Sequence, residues 1–162
     1  LILNRQEKVK LNLADLRAFI LRLAKALRVG HERFNVCLVD DQEIAQLNST
    51  YRKKAQPTDV LSFAWDHAAT ANTADRTPAE FRDFLGDIVI SAETARRNAR
   101  LEGHSTQNEV RWLILHGLLH LKGHDHEKDH GEMTALELAL RKRLKVDGPA
   151  GRTRRPRARK TE

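Results

Sequence analysis

EVRWLILHGLLHLKGHDH, residues 109–126, organises the chain. From Glu109 to Lys122 apolar residues fall on nearly every side of a helical wheel, which predicts a buried helix with other elements packed round it. His116 and His120 stand at positions i and i+4, one above the other on one helical face, so they can chelate a single ion. His124 continues that stripe, but the eight residues of helix from His116 to His124 span about 12 Å, and two nitrogens each about 2.1 Å from one zinc lie far closer than that. The chain must turn back to supply a third ligand. Gly123 permits a left-handed helix end, and beyond it His124, His126 or His130 could reach the ion. Three neutral imidazoles and a fourth position open to water form the ligand set of a catalytic zinc. The competing reading is a buried helix with satisfied core histidines and a solvated turn. Against it, five of the eight histidines fall between His116 and His130.

Two other metal readings are disfavoured. A zincin peptidase carries a glutamate directly after the first histidine as its general base; here that residue is Gly117. A structural zinc site is closed, four-coordinate and usually built with cysteine, and the single cysteine, Cys37, lies far off in a strand-like segment.

The stretch His116-Gly117-Leu118-Leu119-His120-Leu121-Lys122-Gly123-His124-Asp125-His126 resembles the signature His-Gly-x-Leu-His-Leu-x-Gly-Tyr-Asp-His of the YbeY-type rRNA-maturation endoribonucleases. Asn48 to Arg52, followed by Pro57-Thr58-Asp59-Val60-Leu61-Ser62-Phe63, resembles a second signature of that family, and Leu85 to Ser91 a third, in the family's order. The resemblance implies an α+β domain, a small mixed sheet covered by helices around a central metal-binding helix. It implies zinc, one per chain, on His116, His120 and His126, and a functional arginine at Arg52. His124 replaces the family's tyrosine, which leaves it beside the ligands or on the surface, able to compete for the metal. By family position Thr58, Ser62 and Phe63 line a substrate groove, although a phenylalanine is more often core.

Composition agrees. A chain of 162 residues forms one domain with a sizeable core. No apolar run is long enough to span a membrane, no signal peptide is expected, and one cysteine permits no internal disulfide, which fits a cytoplasmic protein. The net charge is +7, of which residues 149–162 carry +5, with six basic residues and one acidic. That segment (GRTRRPRARK at its centre) lacks apolar periodicity and reads as a disordered basic tail beyond a domain of residues 1–148. Arginine pairs bidentately with phosphate, so the tail could contact RNA, or merely aid solubility.

The rest of the chain reads as alternating strands and helices. Strands are expected at Leu1 to Asn4, Phe34 to Asp40, Val60 to Trp65 and Asp87 to Ile90. Helices are expected at Leu13 to Arg28 with Asn12 as N-cap, Asp41 to Tyr51, Ser91 to Leu101, and Thr134 to Leu144. Asp66 to Asp83 looks like a variable insertion, within which Thr77-Pro78-Ala79-Glu80 could start a short helix.

A zinc held by neutral ligands keeps its full charge, lowers the pKa of water from about 15.7 toward about 7, and polarises a phosphoryl oxygen. Arg52 would be the second positive partner, its planar fork suited to phosphate oxygens. Whether water or the RNA 2′-OH attacks stays open, as does the general base: Asp125 beside the third ligand could serve, or could orient an imidazole. Glu109, about 10 Å from His116 along the helix, is expected to be a solvated or N-terminal helix charge, and Asp59 and Asp87 receive no chemical role. The leading function is a zinc-dependent, single-strand-specific endoribonuclease acting on the 3′ end of small-subunit ribosomal RNA, with ribosomal RNA and the small subunit or its assembly factors as partners. The alternatives are a metallohydrolase of another substrate class and a non-catalytic ribosome-assembly or RNA-binding protein with a structural metal.

Overall fold

The computed structural model describes residues 1–66 and 82–146. Its elements run β1 (Ile2–Asn4), α1 (Leu13–Ala26), a 3-10 turn (His31–Arg33), β2 (Phe34–Val39), α2 (Asp41–Arg52), β3 (Val60–Ala64), β4 (Gly86–Ser91), α3 (Ala92–Glu102), α4 (Thr106–Leu121) and α5 (Glu132–Leu144). The fold is α+β, with a mixed sheet in the order β1-β2-β4-β3. β1, β2 and β4 are parallel, and β3 pairs antiparallel with β4 in a register that sets Ser62 against Ile88.

Alternation along the strands sorts side chains onto two faces. Ile2, Phe34, Val36, Leu38, Ile88 and Ile90 point into the main core, where they meet Leu16, Phe19 and Leu23 of α1 and the apolar body of α4. Val39, Leu61 and Val89 point the other way, onto Ile44 of α2. α4 is buried on most of its circumference: Val110, Leu113, Ile114, Leu115, Leu118 and Leu119 are fully enclosed. The expected central helix is therefore present. It begins at Thr106, where Ser105 Oγ accepts a hydrogen bond from the Asn108 backbone N–H at 3.1 Å.

The other helix starts follow from their caps. Asn12, Asp40 and Ser91 each accept from the N–H three residues on, an arrangement worth about 1 kcal/mol per helix. α5 begins at Glu132, two residues before the expected start. There the Asp129 carboxylate accepts from the backbone N–H groups of Gly131 and Met133, at 2.9 and 2.8 Å.

Asp41, in the first turn of α2, accepts from Ser91 Oγ and Thr94 Oγ1, both at 2.6 Å, and pairs with Arg97 at 2.7 Å, tying α2 to α3. Glu109 differs from expectation. It lies in the first turn of α4 but is only 3% exposed, with its carboxylate 2.6 Å from His104 Nε2. Burial, partly offset by His104, raises its carboxyl above the ordinary range.

Among the described residues no helix is long and apolar enough to cross a membrane. The possible helix at Thr77 to Glu80 and the basic tail from Pro149 lie outside the described residues.

Candidate metal centre

His116 and His120 come from the last two turns of α4, with their Nε2 atoms 3.1 Å apart. The helix then stops as expected. Lys122 is its C-cap, Gly123 takes φ 93°, and the Gly123 and His124 N–H groups bond back to the carbonyls of His120 and Leu119. The turn that follows is shaped by Asp125, whose carboxylate accepts from the Glu127 N–H at 3.0 Å. It carries the His126 ring back to within 5.3 Å of the His116 ring and 5.8 Å of the His120 ring, centroid to centroid.

Ligand atoms of His116, His120 and His126 all lie within 4.8 Å of one another, and among the described residues no other cluster of metal-ligating side chains forms. His124 and His130, open as alternatives from spacing, lie outside it. Two nitrogens bound tetrahedrally about 2.1 Å from one zinc are about 3.4 Å apart, so the 3.1 Å pair on α4 matches that separation. Burial first, and then the neighbouring His116 and His126, lower His120 below its ordinary value of 6.5. Its imidazole is therefore neutral at neutral pH, the form a metal ligand needs. In kind, number and spacing these residues could hold a metal ion.

Gly117 explains why no glutamate follows the first histidine. A Cβ there would sit 2.7 Å from Ile88 Cγ2 and 3.2 Å from Ser62 Oγ. The absent side chain lets α4 lie directly on β3 and β4, and Ser62 Oγ donates to the Gly117 carbonyl at 3.3 Å.

His116 and His120 open onto a cleft of about 400 Å³, lined also by Arg52, Asp59, Val60, Ser62, Ala64 and Leu121. Arg52, the exposed last residue of α2, brings its side chain to the same cleft as His116 and His120. Ser62 faces the cleft as well. Phe63 does not: it lies on the opposite face of the sheet, edge-on to Tyr51 at 5.1 Å.

Two residues to which the sequence reading gave no site role are also present. Asp59, 7% exposed, lines the cleft and accepts from Asn98 Nδ2 at 3.1 Å. Glu137 of α5, 4% exposed, has its Oε1 2.5 Å from His116 Nδ1 and 3.9 Å from His126 Nε2. Its signal was present but faint. In α5 it occupies a core position, four residues after Met133 and three before Leu140, where an apolar residue would be expected. Asp87 accepts from Asn35 Nδ2 at 2.9 Å, across β2 and β4.

A family model described as Endoribonuclease YbeY matches residues 1–145. The chain is 47% identical over 129 residues to the Endoribonuclease YbeY of Synechococcus sp. (strain CC9605), covering 80% of this chain and 70% of the relative. It is 42% identical over 132 residues to that of Koribacter versatilis (strain Ellin345), covering 82% and 77%. In fold it is similar to the solution structure of TM1509 from Thermotoga maritima, with a TM-score of 0.54 at 24% identity, over 94% of this chain and all of the other. On the strength of the family match and these relatives, the chain belongs to the YbeY endoribonuclease family.

Proposed function

We propose that this chain is a zinc-dependent, single-strand-specific endoribonuclease that matures the 3′ end of small-subunit ribosomal RNA in the cytoplasm. The observation that carries the reading is a three-imidazole cluster, two of whose members, His116 and His120, share one cleft with the Arg52 guanidinium. An all-imidazole donor set suits zinc and its neighbours rather than magnesium or calcium, which take oxygen ligands. When bound, such a metal supplies positive charge that acidifies water and polarises a phosphoryl oxygen.

The chain's own groups do the rest. His116, His120 and His126 would hold the ion at the cleft wall. Arg52 would grip two phosphate oxygens with its planar fork and meet the charge that develops on phosphorus. A cleft of about 400 Å³ falls within the range for ligand sites, about 300–1,000 Å³, and has room for an unstacked nucleotide of a single strand. Residues 1–148 would form the nuclease domain, and the arginine-rich tail from Pro149 a separate arm that contacts ribosomal RNA.

Neither alternative fits the site as well. A peptidase-type base at position 117 would collide with Ile88, and a purely structural zinc would be closed off, whereas the His126 side chain is 36% exposed. Metal content by mass spectrometry and cleavage of single-stranded RNA, measured on wild type and His120→Ala, test the reading. About one zinc per chain, lost together with cleavage in the variant, is the expected result. Zinc-loaded wild type that leaves single-stranded ribosomal RNA uncut would overturn it.

A further inference from the structure

A carboxylate in the core needs a partner, because an unpaired buried charge costs several kcal/mol, on the order of a whole domain's margin. Glu137 sits in the apolar face of α5 between Met133 and Leu140, which are 0% and 5% exposed. Its partner is the Nδ1 atom of His116, 2.5 Å away. A carboxylate can only accept, so the proton of a neutral His116 ring must be on Nδ1. The lone pair is then on Nε2, the atom that stands 3.1 Å from Nε2 of His120.

We infer that Glu137 is a positioning residue for the metal centre: it selects the His116 tautomer and fixes the ring so that Nε2 faces the ion. The inference rests on the metal reading given above. It also gives α5 a purpose. The helix is held to α4 by Arg141, whose guanidinium lies 4.6 Å over the Trp112 ring, and Trp112 itself lies 5.9 Å from the His116 ring. At its other end α5 is anchored by Asp129, on the same turn that delivers His126. One structural unit, the turn with α5, thus presents both the third imidazole and the carboxylate that orients the first. Carboxylates that take the second N–H of a ligating histidine tune metal affinity about 10–100-fold.

The test measures zinc dissociation constants by competition with a chromophoric chelator, and the His116 tautomer by long-range 1H–15N correlation in the zinc-free protein. Both are free of RNA. Glu137→Leu suits the apolar face of α5 and should keep α5 docked, with an unchanged or higher Tm. It should weaken zinc about 10–100-fold and allow the Nε2–H tautomer to appear. Glu137→Gln keeps an oxygen acceptor in place, retains the Nδ1–H tautomer, and should fall between the two. Wild-type zinc affinity in folded Glu137→Leu, or a loss in Glu137→Gln as large as in Glu137→Leu although the Nδ1–H tautomer is kept, overturns the inference. Wild type that binds no zinc removes the metal reading and the inference with it, whereas wild type that binds zinc but cuts no RNA bears on the nuclease reading alone.

Discussion

The Cα of Gly117 faces Ile88 so closely that an added Cβ would stand 2.7 Å from Ile88 Cγ2, inside van der Waals contact. Ile88 is fully enclosed and has nowhere to move. Gly117→Ala should therefore destabilise the protein. Overpacking costs about 1–3 kcal/mol, while replacing a mid-helix glycine by alanine returns about 1 kcal/mol. The clash wins, with a net loss of up to about 2 kcal/mol. Urea unfolding at neutral pH checks this, and a gain in stability would contradict the packing argument.

Zinc should stabilise the fold. A ligand that binds only the native state at a hundred times its dissociation constant adds about 2.7 kcal/mol. Tm should rise with zinc in the wild type, fall after chelation, and stay flat with zinc in His120→Ala. Calorimetry on the two proteins with and without chelator reads this directly.

Arg52→Ala should leave zinc stoichiometry and Tm as they are, since the side chain is exposed and projects into the cleft. Cleavage of single-stranded RNA should fall about 10²–10³-fold, the usual effect of losing one group that stabilises developing charge. Arg52→Lys should recover only part of it, because a point charge cannot grip two oxygens at once. Turnover equal to wild type in the alanine variant would remove Arg52 from the chemistry.

Acid should expose the Asp41 network. Burial alone would push this carboxyl up, but hydrogen bonds from Ser91, Thr94 and Arg97 outweigh it and hold it below its ordinary value of 3.8. The unfolded chain binds its proton first as pH falls. The stabilisation is then complete above the unfolded value and disappears as pH drops through the folded one. Asp41→Ala should cost roughly 1.5–3 kcal/mol at pH 7, as expected for charged hydrogen bonds. The gap between variant and wild type should close below the ordinary carboxylate range. A gap that persists into strong acid would contradict the assignment.

Much of this architecture could be read from local pattern. Asn12 and Ser91 cap helices where short polar residues precede amphipathic runs, Gly123 ends α4 with a positive φ, and the central helix is buried as its all-round apolar surface implied. What escaped was set by contacts distant in sequence. Glu109 looked like a solvated first-turn charge, yet the α3–α4 connection places His104 over it. Phe63 lies on the far side of β3 because strand alternation, given Ser62 against Ile88, sends it there. Glu137 stands at a core position of α5, but its role is not visible until α5 is laid against α4 and its carboxylate meets His116, 21 residues earlier. The choice of His126 over His124 and His130 came from family resemblance. Spacing alone could not make it, because the turn after Gly123 decides which ring comes back.

That turn also bears on kinetics. The backbone of His116 and His120 belongs to a helix enclosed on most of its surface, so their Cα positions shift only with the core. His126 rides on an exposed loop of a few residues. An ion held by all three would therefore leave by release of one arm, at the rate the loop opens rather than the rate the domain unfolds. Residence time and affinity at this centre would then be set by different parts of the chain, and loop substitutions could change exchange while the helix-borne pair stays untouched.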